Sequence, residues 1–305
     1  MAVSTSPRSP RAGIPPLHGK RISIVAEADH FMATLPPYQV SESLKPRIDE
    51  LDLWGSIEEL RDRGYTVVKD AVPPSLLDEL REVIHTLADR TEGEARGIAA
   101  AMLLGHPVVD RVVTLPKILA VAEASVGMGF RAGQIKGSVK REGDPGLFMH
   151  ADQNWIPAPF PEHNLFVTFC IPCEGMTEAG GATRVVPGSQ RLRRHPRRDE
   201  ITNPATIPVE AEKGSVVAWD GSVWHGNGPR TIPGTRTVLH ATFQRLYTQP
   251  IDDYTPLLRD EAYVAAASPA LLGMIGAHAF FGTATAVSGG VDMQKIVQCS
   301  LMSKQ

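Results

Sequence analysis

The chain has 305 residues, 42% hydrophobic and 21% charged, the make-up of an ordinary globular protein with enough length for one large domain. Its formal charge of −3 leaves no broad basic field, so neither nucleic acid nor anionic lipid is an expected partner. Three cysteines, Cys170, Cys173 and Cys299, are too few and too odd a set for a disulfide framework and point to a reducing, cytoplasmic setting.

Residues 1–50 are proline-rich, with Pro7, Pro10, Pro15 and Pro16 against a helical presequence and no apolar run of signal-peptide length, so an irregular arm is expected there. Residues 51–305 are expected to form a single domain. A short helix is predicted over Leu51–Arg63, with Leu53, Trp54, Ile57 and Leu60 on one stripe. Gly64–Lys69 reads as a strand, stopped by Pro73 and Pro74. Ser75 can cap the following helix, in which Leu76, Leu77, Leu80, Val83, Ile84 and Leu87 recur at helical spacing. Helical signal continues to about Val126, and then the period changes to two.

Gln134–Lys140 alternates polar with small or apolar residues; Leu165–Ile171, Thr183–Val186, Gly214–Trp219 and Thr237–Phe243 are further strands. Short turns and the lack of a βαβ rhythm favour a double-sheet fold, a jelly roll, flanked by helices from the N-terminal half. The run Arg191, Arg193, Arg194, Arg197 and Arg198, followed by Asp199 and Glu200, reads as a solvated loop. Ala262–Val291 has no formally charged residue, but its small residues, Pro269 and Gly289-Gly290 favour a buried helix or apolar lid over a membrane span.

Phe148-Met149-His150-Ala151-Asp152-Gln153 carries the chemistry. In an extended segment residues two apart share a face, so His150 and Asp152 aim an imidazole and a carboxylate at one point. A third ligand from elsewhere would complete the two-histidine, one-carboxylate triad of non-haem Fe(II) oxygenases, with open positions for reactants. His225 supplies it, in the glycine-rich stretch Trp219–Gly228, where backbone and metal can approach closely. Arg236 opens the next strand. Its planar fork suits a carboxylate, as the distal end of a metal-chelated 2-oxoglutarate would need, although a surface ion pair is the plainer use of an arginine.

The ordered set His150-x-Asp152, Gly180-Gly181-Ala182-Thr183-Arg184-Val185-Val186-Pro187-Gly188-Ser189, His225 and Arg236 resembles the phytanoyl-CoA dioxygenase family, over roughly Gly64 to Arg245. The resemblance implies a double-stranded β-helix (jelly-roll, cupin-like) core. It implies Fe(II) held by His150, Asp152 and His225, 2-oxoglutarate held by Arg236 with help from Thr183, and dioxygen as oxidant. Relatives often place a Gln just before the first ligand, where this chain has Leu147 and Phe148; Gln134 on the preceding strand is the nearest substitute. Gln190 stands where relatives often carry His or Arg after the Pro-Gly-Ser turn. Asp152 disfavours halogenation, since related halogenases have a small residue there. Hydroxylation of a C–H bond, with succinate and CO2 released, is the default outcome that the resemblance implies.

Met149, Trp155, Phe160 and the 262–291 segment with Phe280 and Phe281 suggest a largely apolar substrate, such as a lipid acid, terpenoid, steroid or polyketide, though they serve equally well as core. Lys136 and Lys140 could meet a carboxylate or phosphate. A homodimer is left open. Cys170-Ile171-Pro172-Cys173 lacks the following helix of a thioredoxin-like site, and buried thiols are the expectation. No Gly-x-Ser-x-Gly elbow or dinucleotide loop occurs. The alternative to an oxygenase is a metal-binding cupin-like isomerase or binding protein without 2-oxoglutarate turnover.

Overall fold

The computed structural model describes residues 40–90, 98–99, 103–153, 156–202 and 205–277. Trp155, Phe280, Phe281, Cys299 and most of the expected arm lie outside them. Nine helices are present among the described residues: α1 Lys45–Glu50, α2 Trp54–Arg63, α3 Pro74–Ala88, α4 Pro107–Val113, α5 Pro116–Val126, α6 Arg198–Thr202, α7 Thr255–Arg259, α8 Glu261–Ala266 and α9 Pro269–Ile275. The ten strands are β1 Tyr65–Val68, β2 Ile98–Ala99, β3 Arg131–Arg141, β4 Leu147–His150, β5 Phe166–Pro172, β6 Thr183–Val185, β7 Ile207–Val209, β8 Val216–Asp220, β9 His225–Asn227 and β10 Thr235–Gln244.

They form two antiparallel sheets, one ordered β1-β8-β5-β10-β3-β2 and the other β4-β9-β6-β7, the jelly roll expected from the alternating middle of the chain. The alternation decides which face holds what. On the large sheet Val167, Phe169, Ile171, Ala218, Leu239, Ala241 and Phe243 turn outward into a core shared with the helices. Their neighbours Thr168, Cys170, Trp219, Val238, His240 and Thr242 turn inward, towards the small sheet. Helix α3 covers the outer face with Leu77, Leu80 and Ile84, all fully buried. Burying such a side chain stabilises by roughly 1.5–3 kcal/mol. Gly137 on β3 lets α3 sit close, since a Cβ there would lie 2.8 Å from Ile84 Cγ2.

Three expectations need correction. The arm does not extend to residue 50: α1 brings Leu44 and Ile48 into the helical core. Ser75 does not cap α3, because Pro74 already occupies the first turn and the capping position is Pro73, with no side-chain hydrogen bond. The described part of 262–291 is no lid over the inner face. Leu271, Met274 and Ile275 join the helical core, and Arg131 donates from Nε to the Met274 carbonyl at 3.2 Å. No helix among the described residues is long and apolar enough to cross a membrane.

Candidate metal centre

Strand β9 lies between β4 and β6 and places His225 directly opposite both His150 and Val185. The sequence places His225 in a glycine-rich turn after a strand; the structure makes it the first residue of a strand three residues long. Gly226 permits this. A Cβ there would come within 2.5 Å of the Leu147 carbonyl oxygen and 3.0 Å of that of Phe148, so the glycine serves close backbone approach between strands. Strand β4 ends at His150, and Asp152 follows just beyond it. The two side chains still converge, because Asp152 is tied from the large sheet.

That tie is a pair of hydrogen bonds. Thr168 Oγ1 and Trp219 Nε1 both donate to Asp152 Oδ2, each at 2.9 Å. Oδ1 is left facing the histidines, 3.4 Å from His225 Nε2 and 3.7 Å from His150 Nε2. Each histidine is fixed in the same way: Nδ1 lies 3.0 Å from the Phe148 carbonyl in His150 and 3.1 Å from the Val223 carbonyl in His225. A carbonyl only accepts, so Nδ1 carries the proton and Nε2 presents its lone pair. The three ligand atoms lie within 4.8 Å of one another, and the Trp219 ring packs on His225 with centroids 4.7 Å apart.

Electrostatics fit a cation. Burial alone would raise the Asp152 carboxyl; the imidazoles of His225 and His150 and the Trp219 N–H outweigh it and hold the group well below the usual carboxylate range. Burial pulls His225 down, but the Asp152 charge outweighs it and leaves His225 raised, as though the proton stands in for a metal. His150, desolvated and beside His225, is lowered. Two imidazoles and one carboxylate held this way, with one carboxylate oxygen free, suit a divalent transition metal.

The triad opens into a cavity of about 120 Å³, lined also by Gln134, Lys136, Thr168, Thr183, Trp219, Asn227, His240 and Thr242. Thr183 and Gln134 thus line the same cavity as the triad. Gln134 also acts on the nearby Asp252 carboxyl, which burial raises and Gln134 helps to lower. Arg236 is not brought to this wall. It shares the inward face of β10 with His240, four residues away, but lines a separate cleft with Met176, Glu174 and Arg230. Thr183 Oγ1 donates to Met176 Sδ at 3.8 Å, so the cavity and the cleft meet across that contact. Arg236 is 3% exposed, donates from Nη1 to the Gly181 carbonyl, and leaves Nε buried without a partner. A guanidinium one acceptor short is suited to a carboxylate.

Other expectations fall away from the site. Met149 and Phe160 pack with Ala151 and Trp224 behind β4, not against the cavity. Gln190 donates to the Arg61 and Asp62 carbonyls at the end of α2. Cys170 and Cys173 are buried free thiols, raised by burial. The arginine run is a surface network, with Arg194 paired to Glu200 at 2.7 Å and Arg193 to Glu162 at 3.2 Å. Trp219, Thr168, Thr242 and His240 were not singled out for the site. Strand periodicity gives each of them a face but not which face meets the triad.

The model of one protein family, phytanoyl-CoA dioxygenase (PhyH), matches residues 60–238, a span that holds the triad, Thr183 and Arg236. Among curated proteins, dioxygenase ALT11 of Alternaria alternata is 31% identical over 211 residues, 59% of this chain and 67% of that one. Among solved structures, the fold is similar to the non-heme alpha-ketoglutarate-dependent epimerase SnoN from nogalamycin biosynthesis, at 22% identity and TM-score 0.54, covering 65% of this chain and 84% of that one. It is also similar to HygX from Streptomyces hygroscopicus with nickel and 2-oxoglutarate bound, at 14% identity and TM-score 0.55, covering 64% and 88%.

Proposed function

The chain belongs to the phytanoyl-CoA dioxygenase family, and on that premise we propose that it oxidises a C–H bond of a small organic molecule at the His150–Asp152–His225 centre. It is a 2-oxoglutarate-dependent dioxygenase that uses Fe(II), 2-oxoglutarate and dioxygen. In the proposed reaction the substrate is hydroxylated and succinate and CO2 are released. The observation that carries this reading is the convergence of the three ligand atoms within 4.8 Å, each oriented by a hydrogen bond from its far side.

The iron, once bound with 2-oxoglutarate and dioxygen, supplies the oxidising power. The chain's residues hold and aim. Thr168 and Trp219 keep Oδ2 of Asp152 occupied, so that Oδ1 is the ligand atom. The Phe148 and Val223 carbonyls hold the imidazole rings with Nε2 forward. Arg236 is the proposed seat of the distal carboxylate of 2-oxoglutarate, the acceptor its Nε lacks, with Thr183 beside the path and Gln134 on the opposite wall. The cavity's polar lining supports a substrate whose oxidised end meets hydroxyl, amide and amine groups, while Leu147 and Phe148, 45% and 65% exposed, offer apolar surface close by for the rest of the molecule.

The position of Arg236 outside the metal cavity favours a second reading, a cupin-like metal protein that does not turn over 2-oxoglutarate. Family membership weighs against it. Succinate release separates the two. Fe(II)-loaded protein with 2-oxoglutarate, oxygen and a panel of small organic molecules is expected to form succinate, faster with a true substrate than without. Arg236→Met is expected to raise the KM for 2-oxoglutarate by roughly 10–100-fold, the loss of a charge-assisted bond pair. Succinate formation unaffected by Arg236→Met would remove the arginine from the mechanism, and no succinate at all would favour the second reading.

A further inference from the structure

The inner face of β3 carries two lysines, and they are not alike. Lys140 is fully engaged: Nζ donates to the Pro145 carbonyl at 2.6 Å, to Asn227 Oδ1 at 2.6 Å and to the Gly228 carbonyl at 2.9 Å. Lys136, two pleat repeats before it on β3, lines the cavity with the triad and makes no hydrogen bond or ion pair among the described residues. It is directly opposite His240 in the β3–β10 register, and Gln134 is opposite Thr242 on the next rung. His240 also lines the cavity, and its Nδ1 is shielded from solvent with no partner. One wall of the cavity thus holds a free ammonium next to an unsatisfied imidazole nitrogen.

Charge balance says what that wall lacks. A divalent cation, the Asp152 carboxylate, dianionic 2-oxoglutarate and the Arg236 guanidinium sum to neutrality. Lys136 then remains as a cation that acts on His150, His225 and His240 with no counter-charge inside the cavity. The acid outside it, Asp252, is tied to the strand backbone, where its Oδ2 accepts the Ile135 N–H at 2.9 Å. A half-buried ammonium that faces a cavity without an acceptor is suited to an anionic ligand.

We propose that Lys136, backed by His240, is the seat of a carboxylate on the primary substrate, so that the protein oxidises an organic acid at carbon near its acidic group. The inference rests on the oxygenase reading above. It narrows the substrate from a small organic molecule to one with an acidic head, which enters towards the metal, and an apolar body, which meets Leu147 and Phe148.

The test uses the full chain loaded with Co(II) and saturated with 2-oxoglutarate, and reads fluorine NMR relaxation of para-fluorobenzoate and of its neutral counterpart para-fluorobenzamide. The paramagnetic metal reports only probes that reach the cavity. Calorimetry first establishes whether the Co(II) protein binds 2-oxoglutarate; if it does not, the oxygenase reading fails and this inference with it. Where 2-oxoglutarate binds, the expected result is saturable relaxation of the benzoate, with the benzamide at least about ten-fold weaker. That contrast is expected to vanish in Lys136→Met and to return in Lys136→Arg, with 2-oxoglutarate affinity unchanged in both. Equal behaviour of the two probes would overturn the inference alone. So would a benzoate signal seen only before 2-oxoglutarate is added, or weaker 2-oxoglutarate binding in Lys136→Met, since either would assign Lys136 to the co-substrate.

Discussion

Asp152 is the residue on which the centre turns, because its two oxygens have separate tasks. Oδ2 is held by Thr168 and Trp219 and Oδ1 faces the imidazoles. Trp219→Phe keeps an aromatic ring against His225 but removes one of the two donors. Such supporting bonds are typically worth 10–100-fold in metal affinity. Calorimetric titration of Co(II) is therefore expected to show about ten-fold weaker binding in Trp219→Phe, and unchanged affinity would show that Thr168 alone suffices. The His225 pKa is raised, so in the metal-free protein its contribution to stability is complete below the ordinary histidine value and is lost as pH rises through the raised one. Metal uptake must displace that proton. Metal affinity is thus expected to climb with pH until His225 is neutral and then level off, while the melting temperature of the metal-free protein falls over the same range. A flat affinity profile between mildly acidic and mildly alkaline pH would contradict the Asp152–His225 coupling. The convergence of His150, Asp152 and His225 was legible in the sequence because a His-x-Asp pair and a distant histidine occur in order with the segments around them. Trp219 and Thr168 were not, since nothing local shows that strands β5 and β8 pass beneath Asp152.

At the scale of elements, strands β3, β5, β8 and β10 follow from alternation, and the structure keeps each within a few residues of its expected bounds. The short strands β7 and β9 escaped because three residues carry too little pattern. Helix α1 escaped because the prolines before it suggested irregular chain, whereas Leu44 and Ile48 find a core made by distant segments. Gly226 shows how an element positions the site. Gly226→Ala drives a methyl group into the Leu147 and Phe148 carbonyls and must push β9 away from β4, where the His150–His225 pair is set. Metal affinity is expected to fall by at least about ten-fold in this variant, with a smaller loss in melting temperature than in affinity. Equal affinity would mean that β9 relaxes without moving His225.

Across the whole molecule, the helices let the barrel interior be polar. Because α3, α5 and α9 bury the outward residues of the large sheet in one apolar core, the space between the sheets is not needed as the main hydrophobic core. It can hold half-buried Asp152 and buried His225, Arg236 and Thr183, groups that are costly to bury unless a ligand or partner satisfies them. The jelly roll was readable from strand content and the candidate triad from motif order, but the separation of Arg236 from the triad's cavity was not, since it depends on the Met176–Thr183 contact at which cavity and cleft meet. The most direct measurement is an anaerobic titration of 2-oxoglutarate into the Fe(II)-loaded protein, followed by visible absorption. A metal-to-ligand charge-transfer band that saturates with 2-oxoglutarate, disappears in His225→Ala and needs roughly 10–100-fold more 2-oxoglutarate in Arg236→Met is the expected result. Iron bound without any such band would contradict a co-substrate site at this centre.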